Sequence, residues 1–383
     1  MSVERVGVAG AGTMGAGIAQ VAALGGFETL LHDPDRDALE TGLARVRSAL
    51  AKGVSKGLWD EEDAEAASAR VAGARGLEDL TGCELVVEAA PEDLRLKRSL
   101  FARLRRACGP DAILATNTSS LPVGEIAAGL PHADLVCGMH FFNPPALMRL
   151  VEVVATGESS SHALAEVTEV ARRMGREPVR CADSPGFIVN RCNRPFALES
   201  LRILGEGEVA HEQIDAILRS EGGYPMGPFE LMDLIGIDVN LEVARSFYRQ
   251  RPEARWQPHP IQEEMVAAGR LGRKSGRGFY EYADGERRDG DVAMPAAAER
   301  RAVLERVVCQ LANEAAFAAG EGVAPPDDID AAMRLGLNHP RGPFEWAREL
   351  GPGHVVATLD GLRAASGDER YQVAPVLREL AKR

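Results

Sequence analysis

The chain of 383 residues is long enough for two or three domains, and its 45% hydrophobic and 26% charged residues are ordinary for a globular protein. This composition excludes a disordered chain, a collagen-like chain and a small scaffold built on disulfides. A net charge of −13, from 44 basic and 57 acidic residues, argues against a nucleic-acid partner but still allows a local site for an anionic ligand.

The N-terminal residues predict a nucleotide-binding unit of strand, turn, helix and strand. Residues 5–9 have the pattern of a buried strand, residues 10–15 read Gly-Ala-Gly-Thr-Met-Gly, residues 16–24 favour a helix, and residues 27–32 favour a second strand. No residue between 6 and 27 is charged, but the seven glycines in that stretch argue against a signal peptide or a membrane span.

Each glycine of this turn has a predicted purpose. Gly10 permits the tight turn, Gly12 lets the backbone approach a pyrophosphate, and Gly15 lets the helix pack closely on the strand. Asp33, 18 residues after Gly15, suits the ribose hydroxyls and would repel a 2′-phosphate, so NAD is predicted rather than NADP. The predicted cofactor-binding residues of the turn are Gly10, Gly12, Thr13, Met14 and Gly15.

Strands and helices continue to alternate up to about residue 183. Two consecutive helices at 37–56 and 60–69 are predicted to form a hairpin, and a doubly wound sheet is predicted around them. The other predicted elements are strands at 84–90, 112–115, 135–142, 150–154 and 178–181 and helices at 92–107 and 162–175.

The second half of the chain contains an internal repeat. Residues 205–230 align without gaps with residues 320–345 at an offset of 115, with 12 of 26 positions identical. Strand patterns fade after Pro185, so we predict two copies of one all-helical module, at 184–290 and 296–383, following a sheet domain at 1–183.

The six cysteines predict neither a disulfide framework nor a metal site. No two of them have C-x-x-C spacing, and no histidine cluster accompanies them. Reduced thiols and a cytoplasmic location are therefore expected, with no metal cofactor.

Polar residues follow two of the predicted strands, where ligands bind to doubly wound sheets. Asn117-Thr-Ser-Ser120 follows one strand, His140 ends the next, and Glu152 lies 12 residues beyond His140 within an apolar strand. A carboxylate in such a strand needs a partner, and an imidazole paired with it is a standard general base. These two residues alone leave a purely structural role open.

The chain resembles the L-3-hydroxyacyl-CoA dehydrogenases of fatty-acid β-oxidation and related pathways. The resemblance covers essentially the whole chain and rests on many motifs in the same order. The matching segments are GAGTMG (10–15), VVEAAPEDLRLK (86–97), NTSSL (117–121), HFFNP (140–144), LVEVV (150–154), SPGFIVNR (184–191), GPFELMDLIGID (227–238) and GRKSGRGFYEY (272–282).

This resemblance implies reversible, NAD-dependent oxidation of (3S)-3-hydroxyacyl-CoA to 3-ketoacyl-CoA. His140 would be the general base, Glu152 would orient it and stabilise its imidazolium, and Ser119 and Asn190 would hydrogen-bond substrate and cofactor. The further residues that match NAD contacts are Asp33, Glu92, Lys97, Asn143 and Lys274.

The predicted hairpin is the expected site for coenzyme A. Lys56 matches a lysine that contacts coenzyme A in the family, and we add Lys52, one turn earlier, on its spacing alone. Some relatives have a serine seven residues before that lysine, where this chain has Ala49, so part of the contact is not carried over.

The two helical copies are expected to differ in function. The first contains Asn190 and Lys274 and should cover the active site, whereas the second has Glu305 at the position of Asn190 and no counterpart of the GRKSGRGFY segment. Single-module relatives dimerise through this domain. A tandem copy therefore predicts a monomer with an internal pseudo-dimer, with a homodimer as the alternative.

The predicted fold class is an α/β Rossmann-like NAD-binding domain followed by two all-α helical domains that arose by internal duplication. Three alternatives for the function remain: a dehydrogenase of a free hydroxy acid or sugar acid, one acting on a carrier-protein-bound 3-hydroxyacyl group, and a binding protein without turnover. Loss of His140, Glu152, Ser119 or Asn190 would favour the last, and all four are present. No membrane partner is expected.

Overall fold

The structure is a computed structural model that describes residues 3–288 and 292–382. It divides into two compact units, Met1–Phe187 and Ile188–Arg383. The division falls four residues after the predicted end of the sheet domain.

The first unit is an eight-stranded sheet with helices packed against it. Its strands are β1 (Arg5–Ala9), β2 (Glu28–His32), β3 (Val71–Ala74), β4 (Leu85–Glu88), β5 (Ile113–Thr116), β6 (Val136–Phe141), β7 (Leu150–Ala155) and β8 (Glu177–Ala182). Its helices are α1 (Thr13–Leu24), α2 (Arg36–Ser55), α3 (Glu61–Ala69), α4 (Leu94–Cys108), α5 (Val123–Ala127) and α6 (Ser161–Arg173), with short 3₁₀ turns at Leu77–Leu80 and Ala133–Leu135.

The strand order is β3-β2-β1-β4-β5-β6-β7-β8, and every neighbouring pair is parallel except β6 and β7. The predicted Rossmann-like fold is confirmed. The antiparallel pair arises because only residues 142–149 join β6 to β7, which is too short for a parallel crossover. This hairpin sets His140 directly opposite Glu152 in the ladder.

One strand and one short helix are absent from the sequence prediction. The sequence of β3 is Val-Ala-Gly-Ala, whose small residues give little strand signal, and two of its four residues are exposed. The helix α5 has five residues, fewer than a periodic pattern needs. By contrast β4, β5 and β6 are buried along their whole length and have the continuous apolar runs of a covered sheet.

The predicted helical hairpin corresponds to α2 and α3, which pack against each other and against α1. The indole of Trp59, in the turn between them, donates to the carbonyl of Leu50 at 2.9 Å. A Cβ on Gly53 would lie within 1.8 Å of that indole, so glycine is needed where the two helices meet.

The second unit is largely helical, as predicted. Its helices are α7 (Val189–Cys192), α8 (Arg194–Glu206), α9 (His211–Ser220), α10 (Pro228–Ile235), α11 (Ile237–Gln250), α12 (Pro260–Ala267), α13 (Ala297–Gly320), α14 (Pro326–Leu337), α15 (Pro343–Leu350), α16 (Pro352–Ser366) and α17 (Pro375–Leu380). It also contains 3₁₀ turns at Ala254–Trp256, Arg273–Ser275 and Glu369–Tyr371 and a small antiparallel pair, β9 (Tyr282–Ala283) and β10 (Glu286–Arg287), outside the prediction.

The repeated residues make the same contacts twice within this unit. The carboxylate of Asp215 accepts the N–H of Phe229 at 2.9 Å, and that of Asp330 accepts the N–H of Phe344 at 2.7 Å. Each aspartate thus satisfies a free N–H in the first turn of α10 or α15. The glycine before each helix, Gly227 or Gly342, is required because a Cβ there would lie 2.3 Å from that carboxylate.

Three further observations concern the described residues as a whole. None of their helices is both long and apolar enough to cross a membrane. They contain no group of three or more His, Cys, Asp and Glu side chains arranged to hold a metal ion. Five of the six cysteines are buried, and no disulfide joins any of them within the described residues.

Candidate active site and cofactor pocket

A buried histidine–carboxylate pair lies on the β6–β7 hairpin. His140 Nδ1 and Glu152 Oε2 are 2.6 Å apart, with Glu152 wholly buried and His140 5% exposed. The rings of Phe142 and Phe187 have their centroids 4.6 and 5.7 Å from the imidazole and surround it with apolar surface. A carboxylate only accepts hydrogen bonds, so Nδ1 carries the proton of this bond and Nε2 is the basic nitrogen.

The loop after β5 is attached to the strand that carries the histidine. The N–H of Phe141 donates to Oδ1 of Asn117 at 2.8 Å, and the N–H of Asn117 donates to the carbonyl of Glu88 on β4. Ser119 is exposed in this loop at the carboxyl end of β5, and His140 lies near the carboxyl end of the neighbouring β6. The predicted substrate-binding serine and the predicted base are therefore on the same edge of the sheet.

Glu92 organises the same loop. Its carboxylate accepts hydrogen bonds from the Thr118 hydroxyl at 2.6 Å and from the Ser119 and Ser120 N–H groups, both at 3.1 Å. Burial opposes ionisation of this carboxyl group, but the Thr118 hydrogen bond, the charge of Lys97 and the remaining donors together hold its pKa below the usual value. Glu92 is therefore a charged anchor for the predicted cofactor-contacting loop.

Lys97 is buried and held by carboxylates. Its ammonium lies 2.7 Å from Glu88 Oε1 and 3.4 Å from Glu92 Oε2, and it also donates to the carbonyl of Ala90 at 3.1 Å. Only 1% of the lysine side chain is exposed. In this structure Lys97 thus connects β4 to Glu92, a structural role that its spacing in the sequence does not reveal.

The three glycines of the turn after β1 meet different surroundings. A Cβ on Gly10, whose φ is +114°, would lie 2.6 Å from the carbonyl oxygen of Ala89. A Cβ on Gly15 would lie 1.7 Å from the carbonyl oxygen of Gly10. A Cβ on Gly12 would meet no protein atom within 4 Å, so the turn leaves open space beside the start of α1.

That open space is part of a cavity of about 630 Å³. Gly12, Thr13 and Met14 line one wall, and Asp33 at the end of β2 lines another, accepting the N–H of Ala11 at 2.9 Å. Open space beside a glycine at a helix N-terminus, with a carboxylate at the end of the second strand, fits a dinucleotide.

Helix α4 supplies a wall of the cavity that was not predicted from the sequence. Leu96, Ser99, Leu100 and Arg103 line it, and their spacing of i, i+3, i+4 and i+7 marks one helix face. Leu96 is 44% exposed, so this wall of the cavity presents an apolar side chain to solvent. The helical spacing of these residues is visible in the sequence. No local pattern, however, indicates which face of α4 lies against the cavity beside the glycine turn.

The remaining predicted residues lie away from this pocket or in the other unit. Asn143 is exposed just after β6, and Lys52 and Lys56 are exposed at the C-terminal end of α2. In the second unit, Asn190 lies in α7, and Lys274 pairs with Asp238 at 2.7 Å. The hydrogen bond from Lys274 lowers the pKa of the Asp238 carboxyl group.

Two family models match the chain. One described as "3-hydroxyacyl-CoA dehydrogenase, NAD binding domain" matches residues 5–184. The other, described as "3-hydroxyacyl-CoA dehydrogenase, C-terminal domain", matches residues 186–282 and 303–383.

Full-length and shorter relatives are both found. A protein of Escherichia coli K12 named 3-hydroxyadipyl-CoA dehydrogenase is 35% identical, over 100% of this chain and 98% of its own length. The probable 3-hydroxybutyryl-CoA dehydrogenase of Bacillus subtilis is 39% identical, over 74% of this chain and 98% of its own length. A crystal structure of 3-hydroxybutyryl-CoA dehydrogenase from E. coli K12 has a TM-score of 0.94 and 34% identity, and covers 100% of this chain and 99% of that one.

Proposed function

We propose, because the chain belongs to the 3-hydroxyacyl-CoA dehydrogenase family, that it oxidises (3S)-3-hydroxyacyl-CoA reversibly to 3-ketoacyl-CoA with NAD. Enzymes of this family are oxidoreductases that act on a CH–OH group. The observation that carries the proposal is the buried His140–Glu152 pair, whose Nδ1 and Oε2 atoms are 2.6 Å apart. It lies on the sheet that also borders the dinucleotide-type cavity.

The paired side chains suit the proton transfer that this oxidation needs. Nε2 of His140 takes the proton of the C3 hydroxyl as the C3–H bond breaks, and the buried Glu152 carboxylate balances the charge of the resulting imidazolium. NAD, when bound, accepts the hydride from C3. We assign to Ser119 and Asn190 the hydrogen bonds to the C3 oxygen, on which negative charge develops.

We assign the cofactor to the cavity beside α1. Gly10 and Gly15 shape the turn, Gly12 leaves room for the pyrophosphate, and Asp33 meets the ribose and disfavours a 2′-phosphate. The other proposed NAD contacts are Thr13, Met14, Glu92, Ser119, Asn143 and Lys274. Lys97, which is buried, supports the cofactor indirectly by holding Glu92.

We assign coenzyme A to the end of the α2–α3 hairpin. Lys52 and Lys56 are both exposed there, one turn apart, and neither forms an ion pair within the described part of the chain. Two exposed ammonium groups suit the negatively charged phosphates of coenzyme A. We propose a cytoplasmic location, which six cysteines without a disulfide among the described residues support.

We further propose that residues 184–290 and 296–383 are two copies of one helical domain that form an internal pseudo-dimer. The matched contacts of Asp215 and Asp330 support this, as does the match of the C-terminal family model to two segments. The shorter relative from B. subtilis matches 74% of this chain over 98% of its own length, which corresponds to one helical copy fewer.

The test is a series of kcat/KM measurements on purified enzyme. Acetoacetyl-CoA with NADH should be reduced, NADPH should be a much poorer donor, and free acetoacetate should be turned over at a negligible rate. Preference for the free acid would contradict the proposal and favour the alternative dehydrogenases. Longer and ω-carboxylated 3-ketoacyl-CoA substrates in the same series separate the two activities named among the relatives.

A further inference from the structure

Two ion-pair clusters join the helical copies within the second unit, and their residues correspond pairwise, with the roles of the two copies exchanged. In the first cluster, Arg191 Nε lies 2.8 Å from Glu314 and its Nη2 lies 3.1 Å from Glu321. In the second cluster, Arg306 Nε lies 2.5 Å from Glu199 and its Nη1 lies 2.6 Å from Glu206. Each residue of one cluster is 115 positions from its counterpart in the other.

The aromatic residues beneath the arginines repeat in the same way. The Arg191 guanidinium lies 5.3 Å from the Trp256 ring, and that of Arg306 lies 5.9 Å from the ring of Tyr371, again 115 positions on. Residue i of one copy contacts residue j of the other in both directions, which is the signature of a two-fold interface.

The two clusters differ in what lies next to the arginine. Arg191 follows Asn190, which we assign to the substrate, whereas Arg306 follows Glu305, which pairs with His354 and Arg301 on the surface. The helix that carries Asn190, α7, has only four residues and no side-chain cap at its start. Asn193 alone joins α7 to α8, so the position of this short turn depends on α8 and on tertiary contacts.

The first cluster supplies such a contact. Arg191 is completely buried: its Nε donates to Glu314 at 2.8 Å, and its Nη2 forms an ion pair with Glu321 at 3.1 Å. These two contacts with the second copy restrict the position of the guanidinium, and Arg191 is joined directly to Asn190 in the chain.

We propose that Glu314 and Glu321 are positioning residues for Asn190 and act on it through Arg191. The second copy, which has no counterpart of Asn190, thereby contributes to catalysis by orienting a residue of the first copy. This inference rests on the proposed function, in which Asn190 hydrogen-bonds the C3 oxygen.

The test compares two matched double variants of the full chain. Glu314→Gln with Glu321→Gln removes both carboxylates of the first cluster, and Glu199→Gln with Glu206→Gln removes those of the second. Both remove charges from one interface, so both should lower the melting temperature. We expect the first to lower kcat about tenfold or more, with the NADH dissociation constant unchanged, because a small displacement of a catalytic hydrogen bond is costly. The second should keep kcat within about threefold.

A double-mutant cycle with Asn190→Ala shows whether the two carboxylates act on kcat through Asn190. If Glu314 and Glu321 act through Asn190, the double variant should cause little further loss of kcat in an Asn190→Ala background. Equal losses of kcat from the two clusters, or fully additive losses with Asn190→Ala, would overturn the inference. Absence of wild-type turnover with 3-ketoacyl-CoA would instead refute the proposed function.

A milder pair of variants covers the case in which a double variant does not fold. Glu321→Gln and Glu206→Gln each remove one partly exposed carboxylate. The inference requires kcat to fall in Glu321→Gln and to stay unchanged in Glu206→Gln. A kcat restored by Glu321→Asp would identify the negative charge as the cause.

Discussion

Glu152 is wholly buried, and a buried carboxylate destabilises the folded state unless a donor meets it. The 2.6 Å hydrogen bond from His140 is therefore part of the fold as well as of the chemistry. The same bond fixes the tautomer, which leaves Nε2 as the basic nitrogen at the open side of the imidazole.

Replacing the proposed base separates binding from catalysis. His140→Gln should fold and bind NADH but lower kcat by about 10² to 10⁴-fold, because no group remains to take the hydroxyl proton. Steady-state kinetics and NADH fluorescence titration measure the two effects. His162→Gln, an exposed histidine on α6, is the control, and near wild-type turnover by His140→Gln would refute the assignment.

The carboxylate behind the histidine is tested in the same way. Glu152→Gln should lower kcat by about 10²-fold or more, because an amide that donates to Nδ1 forces the tautomer in which Nε2 carries the proton. The control is Glu177→Gln, which removes a carboxylate from an exposed ion pair with Arg149, the residue before the neighbouring strand β7. An unchanged pH–rate profile with full kcat in Glu152→Gln would contradict the role.

The interface between the copies makes stability depend on pH at Glu321. Burial opposes ionisation of this group, but hydrogen bonds from Arg251 and Arg191 outweigh that effect and lower its pKa to about 2 from 4.5. The folded state thus favours the ionised form, so the stabilisation is complete above pH 4.5 and is lost as the pH falls towards 2.

Urea unfolding of Glu321→Gln measures this contribution. The free energy of unfolding of the wild type should exceed that of the variant by a constant amount between pH 7 and 5.5, and the excess should shrink below pH 4.5. An excess that grows on acidification would show that the sign is wrong.

At the scale of elements, the turn between β1 and α1 contains two glycines that the fold requires and one that leaves space for the ligand. Gly10 and Gly15 face backbone oxygens at distances that exclude a side chain, whereas Gly12 faces the cavity. The difference is invisible in the motif, where all three are the same residue type.

Alanine should therefore mainly weaken NADH binding at Gly12 and mainly lower the stability of the fold at Gly15. Gly12→Ala should cost less than about 1 kcal/mol of stability but weaken NADH binding, since its methyl group enters the space assigned to the pyrophosphate. Gly15→Ala should destabilise the protein by about 1–3 kcal/mol or more, because its methyl group overlaps the Gly10 carbonyl. Thermal unfolding measures the stability of both variants, and NADH titration measures their affinity for the cofactor. An affinity of Gly12→Ala for NADH equal to that of the wild type would contradict the prediction.

At the scale of the whole molecule, α8 of the first copy packs along α13 of the second, and the two reciprocal ion-pair clusters join the same two copies. In the proposed pseudo-dimer, this contact takes the place of the one through which single-copy relatives are expected to dimerise.

A monomer is the expected result. Light scattering after size exclusion should give a mass near 41.0 kDa that does not change with protein concentration. A dimer that persists on dilution would show that the tandem copy does not replace the partner subunit.

The sequence was sufficient for those features in which neighbouring residues specify the structure. The glycine turn with Asp33, the alternation of strands and helices and the repeat at an offset of 115 all follow from spacing and residue type, whereas the catalytic roles of His140 and Glu152 are implied by the family resemblance and stay predictions. Turn geometry and strand burial depend mainly on local sequence, which is why these predictions agree with the fold.

The remaining features needed the folded chain because they join residues that are distant in sequence. The antiparallel register that sets His140 opposite Glu152, the burial of Lys97 between two carboxylates and the face of α4 turned to the cavity all depend on how elements pack. The bond from Arg191 to Glu314 spans 123 residues, and no local pattern encodes a contact that two separate helices create only when their apolar faces meet.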